Sequence, residues 1–83
     1  DIRRLYDAIR VANRLREMYQ AYQVGESNEP MDFTTSLREM VNIALRMNHA
    51  QNVKDVARRV ILPKIGDRRQ RVMVDQTINA VLP

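Results

Sequence analysis

The residues with the clearest chemical potential are Ser36, Arg38 and Glu39, at the predicted start of a helix. Ser36 and Glu39 have the spacing of a capping box, in which each side chain accepts a hydrogen bond from the other residue's backbone N–H. This cap would hold Arg38 in the first helical turn, where the dipole and the unpaired N–H groups favour an anion. Because a guanidinium can donate two parallel hydrogen bonds to phosphate oxygens, we predict that Arg38 contacts a nucleotide phosphate. The competing interpretation, which the local pattern alone favours, is an ordinary capped helix with Arg38 in solvent.

A second group of cations, Arg68, Arg69 and Arg71, lies at the predicted start of the last helix. Three positive charges there oppose the helix dipole, so they are candidates for contacting an anion or an acidic partner surface. The alternative is a solvated helix end, whose charge is offset by Asp67 and Asp75.

The remaining residues give little support for metal chemistry or catalysis. The chain has no Cys and a single His, His49, which lies in a polar segment. Thiolate metal sites are therefore excluded, and a Ser-His-acid triad has no convincing set of partners. We interpret His49 as a surface or capping residue and predict neither a catalytic residue nor a metal ligand.

Composition predicts one small helical domain. The chain has 83 residues, of which 45% are hydrophobic but only 5% aromatic. The core must therefore consist mainly of aliphatic side chains, which suit packed helices better than a sandwich of short strands. No apolar run is long enough to span a membrane and no secretory signal is visible, so we expect a cytoplasmic protein.

The formal net charge is +4, and all but two of the fourteen basic residues are Arg. These arginines are spread among ten acidic residues and form no single block. The pattern therefore favours an ion-paired, solvated surface over an extended phosphate-binding surface.

Apolar residues recur every three or four positions in four segments, which predicts four helices. The expected boundaries are about 2–22, 37–47, 53–62 and 68–81. Gly25 begins a loop after the first helix, and Asn52 and Asp67 are predicted N-caps of the third and fourth. Pro63 should end the third helix because it disfavours helical geometry at Leu62. No segment alternates like a strand, so we expect an all-α, small four-helix bundle forming a single domain over residues 1–83.

The order of these parts is more specific than any single residue, and it resembles the C-terminal lid of AAA+ ATPases. The resemblance consists of a long helix ending in Leu15-Arg16, a loop, and then Ser36-Leu37-Arg38-Glu39-Met40. In AAA+ lids, a Ser-Thr-Arg or Ser-Pro-Arg turn opens a helix and its arginine is called sensor II. The resemblance therefore implies a nucleotide-sensing role for Arg38, although Leu37 stands where Thr or Pro is usual.

The downstream sequence is similar to the lid of the MoxR and CbbQ/NorQ branch of this family. In that branch, an acidic "DV" helix precedes a short "L-x-H-R" type segment. The matching segments here are Asn52-Val53-Lys54-Asp55-Val56-Ala57 and Leu62-Pro63-Lys64-Ile65. The sequence departs from the pattern at Lys64-Ile65, which replaces the common His-Arg.

The resemblance implies that this chain is a fragment of a larger ATPase and does not hydrolyse ATP alone. ATP and Mg²⁺ would be bound mainly by phosphate-binding and acidic segments that these residues lack. The implied partners are the adjacent AAA+ core domain, neighbouring subunits of a homo-oligomeric ring, and a client protein that the ring remodels as a chaperone does.

Two functions that use no nucleotide remain open. In a helix-turn-helix DNA-binding domain, the third helix would present Lys54, Arg58 and Arg59, although Asp55 would face the phosphates unfavourably. Arg58 and Arg59 are more simply explained as intrahelical ion partners of Asp55. The other alternative is a protein-interaction module. The tyrosines of the first helix (Tyr6, Tyr19 and Tyr22) suggest core or boundary residues more than a base-stacking surface.

Overall fold

The computed structural model describes residues 2–31, 37–47 and 52–82, and within these ranges the chain is helical without a strand. The helices are α1 (Ile2–Gln23), α2 (Leu37–Arg46), α3 (Val53–Ile61) and α4 (Arg68–Val81), with a short 3₁₀ turn at Leu62–Lys64. The all-α prediction is confirmed at this level. The helix boundaries in the structure differ from the expected ones by no more than one residue.

Two side-chain caps predicted from the sequence are present. The side chain of Asn52 accepts a hydrogen bond from the Asp55 backbone N–H at 2.9 Å and opens α3. The side chain of Asp67 accepts from the Arg69 backbone N–H at 2.9 Å and opens α4. Each cap satisfies one of the backbone donors that a helix start leaves unpaired.

Gly25 ends α1 with a backbone conformation that favours glycine. Its φ is +81°, and its N–H donates to the Tyr22 carbonyl while the Glu26 N–H donates to the Ala21 carbonyl. This pair of hydrogen bonds is the Schellman motif, in which the residue after the helix adopts a left-handed conformation. The loop predicted from the composition after Gly25 therefore begins with a defined helix stop.

The predicted effect of Pro63 is only partly right. α3 does end near Leu62, but Leu62 keeps helical dihedral angles, with φ −59° and ψ −40°. The chain tightens from an α-helix into the 3₁₀ turn, where Pro63 occupies one of the first positions. A proline is tolerated there because the first residues of a helical turn need no N–H donor.

The core is formed where α1 contacts each of the other three helices. With 22 residues at 1.5 Å each, α1 is about 33 Å long and spans most of the molecule's 40 Å long axis. It contributes four buried residues to the core. The core consists of Ala8, Val11, Ala12, Leu15, Met31, Met40, Ala44, Val53, Ala57, Ile61, Ile65, Val74, Ile78 and Leu82.

Apolar spacing alone does not identify the core. Ile2 and Leu45 belong to the apolar patterns of their helical segments, but they are 82% and 72% exposed. Val11 is fully buried beside Ala12. More than one row of residues on α1 fits the helical spacing of apolar side chains. Which row becomes buried therefore depends on where the other helices contact α1.

Truncating Leu15 to alanine should lower the free energy of unfolding by about 2–5 kcal/mol, because its side chain is fully buried. The matched control is Leu45→Ala, the same change on a residue that is 72% exposed, for which we expect less than about 0.5 kcal/mol. Urea unfolding followed by far-UV circular dichroism measures both. Equal losses for the two variants would contradict the assigned core.

The two glycines should respond oppositely to alanine. Gly25→Ala should cost about 1–2 kcal/mol of unfolding free energy because an L-residue at φ +81° is strained. Gly66→Ala should be neutral or slightly stabilising, since Gly66 lacks a positive φ and a Cβ there would meet no atom within 4 Å. Comparing the urea midpoints tests this, and a stabilised Gly25→Ala variant would refute the α1 stop.

Candidate functional site

Arg38 lies in the first turn of α2 and its side chain is exposed. Ser36, on which the predicted capping box depends, lies outside the described residues. Glu39 is the one acidic residue in the first turn of this helix, where it complements the dipole. The position of Arg38 at a helix start is therefore as the sequence predicted, while the reciprocal cap stays a prediction.

Glu39 forms an ion pair that the sequence did not indicate. Its carboxylate accepts a hydrogen bond from the Lys64 ammonium, which belongs to the 3₁₀ turn after α3. The pair joins the start of α2 to the end of α3. The residue beside Arg38 is thus paired with a cation from another part of the chain, which offsets part of its negative charge.

Arg38 also lines a groove between α2 and α3, which we call the α2–α3 groove. The groove is open to solvent and has a volume of about 590 Å³. Both polar and apolar side chains form its walls. The lining residues are Arg38, Glu39, Asn42, Ile43, Arg46 and Met47 from α2 and its end, with Val56 and Val60 from α3.

The charge of Arg38 is not used to hold the described helices together. Ion pairs within the described residues involve four other cations and do not include Arg38. These pairs are Arg10–Asp7, Arg14–Glu17, Arg58–Asp75 and Lys64–Glu39. An exposed guanidinium in an open groove, at the positive end of a helix, is suited to binding an anion.

The three arginines at the start of α4 do not act as one cluster. Arg71 turns back to the preceding loop, where its Nε donates to the Ile65 carbonyl at 3.3 Å and its Nη2 approaches the Gly66 carbonyl at 3.5 Å. Arg68 and Arg69 are exposed, and Arg69 lines a separate shallow groove beside the loop after α1. Part of this arginine-rich start therefore has a local structural use.

The prediction that Arg58 pairs with Asp55 within α3 is wrong. Arg58 Nε instead contacts Asp75 Oδ1 on α4 at 2.6 Å, while Asp55 accepts a hydrogen bond from the Asn52 side chain at 3.0 Å. Helical spacing suggested the local partner, but contact between α3 and α4 offered another carboxylate. Arg58 is consequently less available for contacting DNA than its sequence position implies.

The three tyrosines of α1 differ in burial, as is usual for residues at the boundary of a core. Tyr19 and Tyr22 pack partly buried against the core, whereas Tyr6 is 63% exposed with the Arg10 guanidinium 5.8 Å from its ring centroid. This last contact lies within the range of a cation–π interaction. The three rings therefore do not share one open surface for stacking bases.

No protein-family model, curated protein or solved structure matches this chain.

Within the described residues, no group of three His, Cys, Asp or Glu side chains could hold a metal ion. His49 lies outside those residues. None of the helices within the described residues has the length and apolar character needed to cross a membrane.

Sequence reasoning identified Arg38 but missed the groove around it. Asn42, Ile43 and Arg46 were not considered as site residues, although Arg38, Asn42 and Arg46 follow one another at four-residue intervals. That spacing places polar residues along one side of a helix and could have indicated a polar edge. The contribution of α3 to the groove has no local signal, because it depends on how two helices meet.

The contact between Arg58 and Asp75 should couple α3 to α4 by roughly 0.5–1 kcal/mol, as expected for a partly exposed ion pair. A double-mutant cycle with Arg58→Gln and Asp75→Asn, followed by urea unfolding, measures this coupling free energy. The matched cycle uses Arg14→Gln and Glu17→Gln, a local pair at 3.5 Å, which should give a smaller value. A coupling of zero for Arg58 and Asp75 would contradict the pairing.

Proposed function

We propose that this chain is the sensor-II lid domain of an AAA+ ATPase of the MoxR or CbbQ/NorQ type. Arg38 would contact the γ-phosphate of ATP, which would be bound mainly by residues of the parent protein outside these 83. The observation that carries the proposal is the exposed Arg38 guanidinium in the first turn of α2, outside every ion pair of the described residues. The sequence resemblance supplies the family, and the all-helical fold is compatible with it.

The residues around Arg38 fit a phosphate group. The guanidinium can donate two hydrogen bonds to phosphate oxygens, and the α2 dipole adds attraction at the same end of the helix. Glu39, the nearest acidic residue in sequence, is engaged by Lys64 and so repels an anion less. The described residues supply no cluster of acidic side chains for Mg²⁺, so the metal would be held elsewhere in the parent protein.

Coupling to nucleotide state would come from a contact that exists only while the terminal phosphate is attached. A ligand shifts a conformational equilibrium by the difference between its affinities for the two states. Arg38 would bind the lid to the triphosphate before hydrolysis and release it afterwards. Because Lys64 joins the start of α2 to the end of α3, movement of Arg38 would be transmitted to α3.

In this proposal the lid lies beside its own AAA+ core domain and near a neighbouring subunit of a cytoplasmic, homo-oligomeric ring. Opening and closing of lids around the ring would drive remodelling of a client protein. Arg38 acts either on the nucleotide of its own subunit or on that of the neighbour.

Replacing Arg38 with alanine in the full polypeptide that carries this chain should lower ATP turnover or nucleotide-dependent assembly. We expect a loss of roughly ten- to a hundredfold, which corresponds to one charged hydrogen-bonding partner of about 1.5–3 kcal/mol. Arg38→Lys should be intermediate, because an ammonium keeps the charge but not the planar fork. Turnover is measured as phosphate release, and assembly by sedimentation with and without ATP.

Arg14→Ala is the matched control, since Arg14 is an exposed arginine of α1 that pairs with nearby Glu17. It should leave turnover and assembly unchanged. Unchanged turnover and assembly in Arg38→Ala would reject the sensing role. A parent polypeptide without a phosphate-binding loop would reject the whole assignment. Salt-sensitive binding of duplex DNA by this chain would instead support the helix-turn-helix alternative.

A further inference from the structure

We propose that the α2–α3 groove binds an amphipathic helix from a partner protein, with an acidic residue near each end of a short apolar stripe. This interaction goes beyond nucleotide sensing and requires no nucleotide. It rests on three properties of the groove, namely an apolar floor, a cationic edge and the helical character of its walls.

The floor of the groove is apolar and partly open to solvent. Ile43 and Met47 come from α2 and its end, while Val56 and Val60 come from α3, and all four are partly exposed. In each helix the two side chains are four residues apart, so they are about 6 Å apart along the helix axis. This spacing matches apolar residues at i and i+4 of a helix lying in the groove.

The edge of the groove is cationic at both ends. Arg38 and Arg46 are eight residues apart in α2, which separates them by about 12 Å along the axis, and Asn42 lies between them. Neither arginine takes part in an ion pair of the described residues. The one acidic residue of the lining, Glu39, is engaged by Lys64. The groove therefore presents positive charge along the α2 side of an apolar floor, which is complementary to an acidic amphipathic segment.

The same features favour a helix over other ligands. The described residues contain no strand, so an extended peptide has no sheet edge to which it could add. Nucleic acid is less well matched, because the lining has two arginines, no aromatic ring for stacking and four apolar side chains that a duplex would not cover. In a helix with acidic residues seven or eight positions apart and leucines between them, the leucines would pack on the apolar floor. The acidic residues would pair with the two arginines of the edge.

The probe is a fluorescein-labelled helical peptide of about sixteen residues, with two glutamates eight positions apart flanking leucines at i and i+4. Fluorescence anisotropy is measured while the 83-residue chain is titrated at low salt, without nucleotide. We expect saturable binding in the micromolar range, because the groove is smaller than a standard protein interface. A peptide of the same composition, with its glutamates moved into the leucine stripe, should bind at least several-fold more weakly.

Arg46→Glu should weaken binding of the probe on the order of tenfold, because the attraction between Arg46 and a glutamate of the probe becomes a repulsion. Val56→Gln should also weaken it several-fold by making the floor polar. The matched charge control, Arg14→Glu, lies on α1 outside the groove and should stay within about twofold of the unmodified chain. Circular dichroism verifies that each variant is folded.

Several results would overturn the proposal. Absence of saturable binding would do so, as would equal weakening by Arg46→Glu and Arg14→Glu, which would indicate attraction to net charge alone. Displacement of the peptide by an equimolar short DNA duplex would assign the groove to nucleic acid. Self-association of the chain in sedimentation, abolished by Arg46→Glu, would identify a second copy as the occupant. The test substitutes Arg46 and contains no nucleotide. A negative result would therefore reject this proposal without bearing on ATP sensing by Arg38, which the Arg38→Ala experiment tests separately.

Discussion

The fold depends on α1 as a common surface on which three short helices bury their apolar stripes. α2, α3 and α4 have ten, nine and fourteen residues, and isolated helices of such length are marginal in water. Each of them contacts α1, and α3 also contacts α4. Their helical structure therefore depends on tertiary burial, with caps such as Asn52 and Asp67 adding smaller local contributions. The chain has no disulfide to take over this role.

This arrangement also explains why a groove exists beside Arg38. α2 uses Met40 and Ala44 for the core, and α3 uses Val53, Ala57 and Ile61. Side chains adjacent to these stripes, including Ile43 and Val60, are only partly covered where the two helices meet. A short helix with a broad apolar face has more apolar surface than one neighbour can bury, and the remainder lines the groove.

The helices themselves were largely predictable, because their positions follow from apolar spacing, Gly25 and the two capping residues. The start of α2 could be located in the same way, and with it Arg38. The core was less predictable, as Val11 and Leu45 illustrate, because several adjacent stripes satisfy helical periodicity. The pairing of Lys64 with Glu39 and of Arg58 with Asp75 spans 25 and 17 residues. Such partners are set by helix packing and have no signal in local spacing.

The dispersed arginines of the sequence predicted an ion-paired surface. Among the residues that the structure describes, some arginines form ion pairs or hydrogen bonds within the fold, whereas others do not. Arg10 and Arg14 pair within α1, Arg58 pairs with a neighbouring helix, and Arg71 donates to carbonyls of the loop before α4. Arg38 and Arg46 have no such structural use among the described residues, and both lie along the same groove. Partly exposed apolar side chains, Ile43 and Met47 among them, line the groove beside these two arginines. A cation that stabilises the fold is already paired, so cations that remain available beside apolar surface are the better candidates for binding.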